Sequence, residues 1–261
     1  MSADNLSKPP KVLRSPLFSA HEIPHGFYTR EIKAQFWIAE DANQPLSPDE
    51  KTRSASDLRF VLEDLHADHL LHPIQVHSDK ILHPKEISKE PRQRGTEADA
   101  MMIAKPGVAV GVVTADCLPI LIADTQSETV AAVHGGWRGL FANISKKTIA
   151  AMCNEFQSEP QSLLAAIGPG ISLQAYEISY DLMTKFVDRY PWAAYMINTS
   201  QNRIRLNLQE IARYQLEEAG LKPANIDTVS GCTFFDETLF DSYRRQGDAA
   251  GRQLSAVSCR R

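Results

Sequence analysis

The apolar residues in the middle of the chain form short continuous runs separated by polar turns, a pattern typical of strands in a sheet. The runs over residues 118–123 and 129–133 flank the turn-forming stretch 124–127, so we expect them to pair as one hairpin. Cys117 precedes the first run and His134 follows the second. A hairpin therefore places this thiol and this imidazole at the same end of two neighbouring strands.

Further strands are predicted along the chain from apolar runs and from the alternation of apolar and polar residues. They lie at residues 25–30, 73–82, 98–104, 108–114, 163–167, 226–232 and 253–258. In the segment 73–82, Ile74 and Val76 are expected on one face and Gln75 and His77 on the other. Most of the strands follow one another through short turns, which predicts largely antiparallel pairing.

Helical periodicity appears in four segments. The apolar residues at 58, 61, 62 and 65 form one buried stripe, and Ser54 or Ser56 could cap that helix. The other three helices are predicted over residues 137–156, 181–189 and 207–219. Asn207 and Gly220 provide start and stop signals for the last of them.

Three histidines, His66, His69 and His72, follow the first helical stripe at three-residue spacing, which could suggest a metal site on one helix face. Pro73 comes directly after His72, and a helix should have ended by that point. We therefore interpret the three rings as a solvated helix end rather than as ligands.

The composition favours a single globular domain. Residues 1–16 are polar and contain two adjacent prolines, which predicts a loosely ordered arm, whereas no linker or repeat divides residues 17–261. The net charge of -4 lacks the basic excess that nucleic-acid binding requires. The N-terminal residues contain no apolar h-region and the sequence has no run of roughly 18 apolar residues, so we expect a cytoplasmic protein without membrane association. The four cysteines form no C-x-x-C pair, which favours reduced thiols over a zinc ribbon or a disulfide framework.

A third potential metal ligand accompanies the thiol and imidazole of the hairpin. His77 completes a set of two imidazoles and one thiol with Cys117 and His134, and three protein ligands with an open fourth position are typical of catalytic zinc. The spacing alone leaves two alternatives open. The three side chains could be packing or surface residues, or Cys117 and His134 could form a thiolate–imidazolium pair with a nucleophilic thiolate.

Charged residues lie close to this set in the sequence. Asp116 and Asp99 are candidates for orienting a ligand histidine or for transferring protons. The glycine-rich bend after His134 carries Arg138, and a guanidinium beside backbone N–H groups suits a planar oxyanion such as phosphate. Residues 240–252 contain further arginines, which could bind an anion or pair with surface carboxylates.

Several sequence motifs together resemble those of the YfiH family of laccase-domain proteins. They are QVHS (75–78), TADCLPILIAD (114–124), HGGWRGL (134–140), IGPGIS (167–172), YEIS (176–179) and SYRRQGDAAGRQ (242–253). The resemblance covers most of the chain from residue 25 onward. It implies an α/β (α+β) fold, a single four-layer α-β-β-α domain with mixed, largely antiparallel sheets. It also implies that the matching His77, Cys117 and His134 bind zinc.

Members of this family are described as purine nucleoside phosphorylases with adenosine deaminase activity, as polyphenol oxidases and as peptidoglycan-editing hydrolases. Copper oxidation is disfavoured here because a multicopper oxidase holds its copper ions largely with H-x-H pairs, and this chain has 8 histidines and no H-x-H. Zinc-assisted phosphorolysis or deamination needs one metal site, an anion pocket and a proton carrier. The sequence contains candidates for each of these parts.

The leading hypothesis is a zinc-dependent purine nucleoside enzyme that cleaves adenosine, inosine or guanosine-type nucleosides by phosphorolysis and also deaminates adenosine. Its partners would be the nucleoside and phosphate, with Cys117, Asp116 and Arg138 as catalytic residues: Asp116 carries the proton and Arg138 holds phosphate. One alternative is a zinc or cysteine hydrolase that edits peptidoglycan precursors, and another is a copper polyphenol oxidase. The third is a non-catalytic, metal-stabilised binding protein in which Arg138 holds an anionic partner.

Two positions depart from the family pattern. Residues 31–36 read EIKAQF where such proteins typically have a glycine-rich G-G-x-S segment, and Gly170 and Ala175 stand where cysteines are usual. The first change concerns substrate contacts near Arg30, so the resemblance does not carry over a nucleoside preference. The potential metal ligands are unaffected by either change.

Overall fold

The computed structural model describes residues 11–32, 47–83 and 96–260. The strands, in chain order, are β1 (Val12–Leu13), β2 (His25–Tyr28), β3 (His69–Leu71), β4 (Ile81–Leu82), β5 (Ala100–Ile103), β6 (Val108–Thr114), β7 (Leu118–Asp124), β8 (Val130–Gly135), β9 (Leu163–Ile167), β10 (Ile197–Asn198), β11 (Arg205–Leu206), β12 (Ile226–Thr228) and β13 (Gln253–Ser258). The α-helices are α1 (Pro16–Ala20), α2 (Pro48–Asp64), α3 (Trp137–Phe141), α4 (Ile144–Phe156), α5 (Tyr180–Arg189), α6 (Leu208–Glu218) and α7 (Tyr243–Gln246). None of the described helices is long and apolar enough to cross a membrane.

Two mixed sheets contain the described strands apart from the β10–β11 pair. The first sheet has the order β1-β2-β13-β6-β3 and the second the order β12-β9-β7-β8-β5-β4. Neighbouring strands are antiparallel except in the pairs β3–β6, β4–β5 and β9–β12. The prediction of mixed, largely antiparallel sheets is confirmed.

Three apolar layers hold the sheets and helices together. Val112 of the first sheet and Leu121 of the second belong to the layer between the two sheets. On the outer face of the second sheet, Ile120 belongs to a cluster that includes residues of α4 and α6. On the outer face of the first sheet, Tyr28 and Leu254 cluster with residues of α2. The order is helix, sheet, sheet, helix, which confirms the predicted four-layer α/β fold.

Two helices differ from the prediction at their boundaries. The cap of α2 is Ser47, whose hydroxyl accepts the backbone N–H of Glu50 while the Glu50 carboxylate accepts the backbone N–H of Ser47. The prediction of Ser54 or Ser56 as the cap is wrong, because this capping box starts the helix well before the apolar stripe. The continuous helix predicted across α3 and α4 is interrupted at Asn143, which has a φ of 62°. Asparagine adopts this left-handed conformation more readily than most residues.

Apart from the segments 73–82 and 226–232, the other predicted elements are found close to their expected positions, and α6 begins and ends as the sequence indicates. The Asn207 side chain accepts the backbone N–H of Glu210, and Gly220 has a φ of 99° just after the helix. The strand predicted over residues 226–232 is shorter, because β12 ends at Thr228.

The chain enters the fold earlier than predicted. Of the arm predicted over residues 1–16, residues 1–10 lie outside the described part of the chain, as do residues 33–36 of the EIKAQF segment. Residues 12–13 form β1 and pair with β2, while the Ser15 hydroxyl accepts a backbone N–H at the start of α1. Residues 11–16 therefore belong to the fold, since this edge strand extends the first sheet.

His66, His69 and His72 belong to no group of described residues whose ligand atoms could share a metal ion. They also do not form a helix end: α2 ends at Asp64 and His69 lies in β3.

His25 in β2 is a buried histidine with both ring nitrogens in use. Its Nε2 accepts the backbone N–H of Ser15 at 2.8 Å, and its Nδ1 donates to the carbonyl oxygen of Ile23 at 2.8 Å. Only a neutral ring can accept and donate at once. Burial lowers the pKa of His25 from 6.5 to about 4, although the hydrogen bond to Ile23 opposes this shift.

The neutral state of His25 predicts a loss of stability in acid. The unfolded chain takes up a proton at this residue below pH 6.5, whereas the folded chain does not until about pH 4, so the free energy of unfolding falls as pH falls between these values. The loss should reach about 3 kcal/mol. His25→Gln should lose less stability over this range in urea denaturation. His21→Gln, at an exposed position, is the control and should keep the full loss. Equal acid losses for the wild type and His25→Gln would contradict the prediction.

Candidate metal centre and its surroundings

The carboxylate of Asp99 lies at the centre of the candidate site. Asp99 precedes β5, is fully buried and accepts the backbone N–H groups of Val76, His77 and Ser78 at 3.3, 2.9 and 2.5 Å. It also accepts the Ser78 hydroxyl at 2.7 Å and Nδ1 of His134 at 2.7 Å. One buried anion therefore fixes both the loop that carries His77 and the ring of His134.

This carboxylate also explains why the single strand predicted over residues 73–82 is wrong. Only the end of this segment forms a strand, β4, and His77 has a φ of 58° because the chain turns around Asp99. Ile74 and Val76 are 44% and 38% exposed rather than directed into a core. Consecutive N–H groups can converge on one anion only where the backbone is curved, so the alternating pattern was misleading here.

The hairpin of β7 and β8 places Cys117 and His134 at the same end of the two strands, as predicted. His134 pairs with Pro119, and Cys117 directly precedes β7. The Sγ atom of Cys117 lies 3.9 Å from Nε2 of His77, and the centroids of the His77 and His134 rings are 4.8 Å apart. The potential ligand atoms of the three residues all lie within 4.8 Å of one another, so they could hold one metal ion. Within the described ranges this is the one such group of His, Cys, Asp and Glu side chains.

The half-buried Cys117 and the buried His134 and Asp99 stabilise one another's charged forms. Burial alone would raise the pKa of the Cys117 thiol, but His134 and His77 lower it to about 6. Burial alone would lower the pKa of His134, but Cys117 and Asp99 raise it to about 9. Burial would also raise the pKa of Asp99, and the hydrogen bonds from His134 and Ser78 lower it to about 2. Cysteine binds metals as the thiolate, which these charges favour, whereas His134 must release a proton when it becomes a ligand.

Gly136, between β8 and α3, leaves room for the ligand group. A Cβ atom at this position would lie 3.1 Å from Sγ of Cys117 and 3.1 Å from Cδ2 of His77. A side chain here would press on two of the potential ligands. The second glycine of the HGGWRGL motif thus serves the geometry of the site directly.

Asp116, the predicted proton carrier, links the Cys117 loop to distant segments. Its Oδ1 accepts the hydroxyl of Thr233 at 2.6 Å, and its Oδ2 accepts the backbone N–H of Arg244 at 2.6 Å. Its carbonyl oxygen accepts the backbone N–H of Ile171 at 2.8 Å. Asp116 directly precedes the potential ligand Cys117. It thereby joins this ligand to the start of α7 and to the segments around Ile171 and Thr233.

Three further arginines bind other groups of the protein through hydrogen bonds or an ion pair. Arg245 donates to the carbonyl oxygens of residues 233, 234 and 240, and Arg252 donates to those of residues 250 and 251. Arg30 forms an ion pair with Asp241 at 3.2 Å and donates to the carbonyl oxygen of Glu237. These contacts give the three guanidinium groups a structural role.

Arg138 and Arg244 are exposed and make no ion pair with a carboxylate in the described part of the chain. The guanidinium carbon of Arg138 lies 4.4 Å from the ring centroid of Trp137, and that of Arg244 lies 5.3 Å from the ring centroid of Tyr176. Arg138 was predicted as an anion-binding residue, and its exposure is compatible with that role. Arg244 was one of several candidate anion-binding arginines in the segment 240–252. It is exposed, whereas Arg245 and Arg252 donate to several backbone carbonyl oxygens.

The sequence predicts no role for Tyr176 or Thr233. Burial raises the pKa of the Tyr176 hydroxyl, and the nearby Cys117 adds to this shift while Arg244 and Arg138 oppose it. Its membership of the YEIS motif was the only signal in the sequence. Thr233 had none, because its partner Asp116 is 117 residues away along the chain.

The fold and the site define an α/β protein with a group of two histidines and one cysteine that could hold a metal ion. The chain belongs to the family described as multi-copper polyphenol oxidoreductase laccase, whose sequence model matches residues 25–260. The predicted resemblance to YfiH laccase-domain proteins is confirmed. A crystal structure of the hypothetical protein YfiH of Bacillus licheniformis superimposes with a TM-score of 0.81 over 97% of each chain, and at 22% identity this similarity concerns the fold.

Two relatives carry functional names. A protein of Deinococcus radiodurans named purine nucleoside phosphorylase is 30% identical over 255 residues, covering 94% of this chain and 92% of the relative. A protein of an unknown prokaryotic organism named adenosine deaminase RL5 is 29% identical over 223 residues, covering 85% and 84% of the two chains. These names point to nucleoside chemistry among relatives of this protein.

The contacts of Asp99 predict that it controls metal affinity. Asp99→Asn keeps the size of the side chain but loses the charge that orients His134, so zinc affinity should fall about 10- to 100-fold in a competition titration with a chromophoric chelator. Asp79→Asn is a suitable control, because Asp79 lies on the same loop but pairs with Lys147 at the surface. Equal zinc affinities for wild type and Asp99→Asn would show that the carboxylate does not support the metal centre.

Proposed function

We propose that this protein is a zinc-dependent purine nucleoside enzyme that cleaves nucleosides by phosphorolysis. The observation that carries the proposal is the cluster of His77, Cys117 and His134, with ligand atoms within 4.8 Å of one another, beside the exposed Arg138. The purine nucleoside phosphorylase name of the Deinococcus radiodurans relative supports the choice of substrate. Adenosine deamination is proposed as a second reaction of the same site, on the evidence of the relative named adenosine deaminase RL5.

The donor set fits zinc. Two imidazoles and one thiolate are ordinary zinc ligands, and Asp99 hydrogen-bonds the outer nitrogen of one of them, as supporting carboxylates commonly do at zinc sites. Copper, which the family description suggests, is the alternative metal. The described residues contain one such ligand group, and a multicopper site would need several. A bound zinc ion would lower the pKa of a water molecule or polarise a substrate oxygen.

The remaining proposed roles belong to the chain's own side chains. Arg138 supplies a cation that binds and orients phosphate next to the ligand group. Asp116 remains the proposed proton carrier: each carboxylate oxygen accepts one hydrogen bond and keeps a lone pair that can take a proton. Cys117 acts as a metal-bound thiolate rather than as a nucleophile, because the imidazoles of His77 and His134 lie beside it and complete a set of three metal ligands.

We also propose that the predicted range 17–261, together with residues 11–16 that join the first sheet, acts as one catalytic domain. The layer between the two sheets contains Phe18 from the start of this range and Val257 from its end. A core that joins both ends of the range favours folding as one unit.

The proposal predicts phosphate-dependent release of the free base from inosine or adenosine. Zinc-loaded protein should release the free base only when phosphate is present, and Cys117→Ala should lose this activity by at least about 100-fold together with its bound zinc. Cys153→Ala removes a thiol on α4 outside the ligand group and should keep wild-type activity. Chromatography of the reaction mixtures measures the base. No base release by the wild type, or equal release by Cys117→Ala, would refute phosphorolysis at this site.

Deamination makes a separate prediction. Adenosine should be converted to inosine and ammonia without phosphate, because the attacking species is water. The fall in absorbance near the adenosine maximum, with phosphate omitted, follows this reaction. Cys117→Ala should abolish it, and an unchanged rate in this variant would place deamination elsewhere.

A further inference from the structure

Two arginines at the edge of the candidate metal centre carry charges that the described chain does not neutralise. Arg138 is the second residue of α3, the helix that begins directly after the two glycines following His134. Arg244 is the second residue of α7. No carboxylate in the described ranges pairs with either one, and the guanidinium of Arg244 donates only to the carbonyl oxygen of Glu177 at 3.1 Å. By contrast, the exposed Arg203 pairs with the carboxylate of that same Glu177 at 3.6 Å.

Tyr176 brings the two charges onto one surface. The guanidinium carbon of Arg244 lies 5.3 Å from the centroid of its ring, and Cys117, Arg138 and Arg244 all act electrostatically on its hydroxyl. No described residue hydrogen-bonds this hydroxyl, although the side chain is half-buried. A phenol O–H without a partner, beside one guanidinium and within the electrostatic influence of a second, can donate to a bound anion.

The position of Arg244 is fixed from the metal side of the site. Its backbone N–H donates to Oδ2 of Asp116, and Oδ1 of the same carboxylate is held by the buried hydroxyl of Thr233. The Ser242 side chain caps the same turn by accepting the backbone N–H of Arg245. Asp116 is the residue beside Cys117, so its carboxylate holds the start of α7 next to the candidate metal centre.

We propose that Arg138, Arg244 and the Tyr176 hydroxyl form one binding site for phosphate next to the His77, Cys117 and His134 group, and that Asp116 and Thr233 position Arg244 in it. This inference rests on the proposed function for the choice of phosphate as the anion. Two guanidinium groups and one hydroxyl offer directed donors to more phosphate oxygens than the two that one bidentate arginine can bind. In this arrangement Asp116 is a positioning residue for Arg244, in addition to its proposed role as proton carrier.

The first test measures phosphate binding directly, without turnover. Inorganic phosphate is titrated into zinc-loaded protein by calorimetry, and Arg244→Gln should weaken binding by about tenfold or more, the usual effect of losing a charged hydrogen bond. Arg203→Gln removes the same charge from the same surface and should change affinity by less than about twofold. The same comparison in the Cys117→Ala background separates phosphate held by the arginines from phosphate bound to a metal ion. The tenfold effect of Arg244→Gln should persist there.

The second test concerns positioning. Thr233→Val removes the hydroxyl that holds Asp116 while leaving the carboxylate in place, whereas Thr233→Ser keeps the hydroxyl. We expect Thr233→Val to raise the phosphate dissociation constant about threefold to tenfold with unchanged zinc content, and Thr233→Ser to restore the wild-type value. Asp116→Asn should weaken phosphate binding at least as much. In turnover assays the Thr233→Val effect should appear in KM for phosphate rather than in kcat.

The outcomes separate this inference from the proposed function. If phosphate binds and Arg244→Gln weakens binding while no nucleoside is cleaved, the anion site stands and phosphorolysis fails. If nucleoside is cleaved but Arg244→Gln and Arg203→Gln bind phosphate equally well, the anion site is overturned. The absence of phosphate binding to the wild type, or its complete loss in Cys117→Ala, also overturns it. Unchanged affinity in Thr233→Val and Asp116→Asn overturns the positioning role.

Discussion

The buried carboxylate of Asp99 is the interaction on which the candidate site depends. It accepts three successive backbone N–H groups, one hydroxyl and one imidazole, and it has no exposed surface. A buried charge is stable only when it is fully hydrogen-bonded. If the loop carrying His77 moved away, the Asp99 carboxylate would lose its backbone donors while it stayed buried, which costs free energy. The same contacts fix Nδ1 of His134 as a donor, which directs its Nε2 towards the other ligands. The geometry of the ligand group is therefore set by a residue that does not itself belong to it.

The sequence predicted the parts of the fold and of the site that depend on local pattern. The β7–β8 hairpin, the proximity of Cys117 to His134 and the four-layer architecture are all found. The segment around His77 was predicted wrongly. Its alternation of apolar and polar residues favours a strand, but the hydrogen bonds from its backbone to the buried Asp99 carboxylate require a turn. The split between α3 and α4 at Asn143 was missed for a similar reason: the helical pattern continues through a position where tertiary packing turns the chain.

The contacts of Asp116 could not be predicted at all. Thr233 and Arg244 lie 117 and 128 residues further along the chain, and neither residue type marks such a partner in a sequence. The arginines of the segment 240–252 show the same limit. Their charge suggested an anion site, but only the structure separates Arg245 and Arg252, which bind backbone carbonyl oxygens, from Arg244. Composition indicated how much positive charge was present, and packing determined which of it faces the site.

The place of β13 in the first sheet has a consequence for the order in which the protein can assemble during synthesis. This strand follows every other described strand in the chain, yet it lies between β2 and β6 at the middle of its sheet. The second sheet, with the β7–β8 hairpin at its centre and the potential ligands at one end of that hairpin, consists of segments that leave the ribosome before β13. The first sheet stays open along its centre until β13 has been made, so its unpaired strand edges are exposed on the nascent chain. A ribosome paused just before this strand would carry a chain that already has the ligand residues but not the completed fold around them.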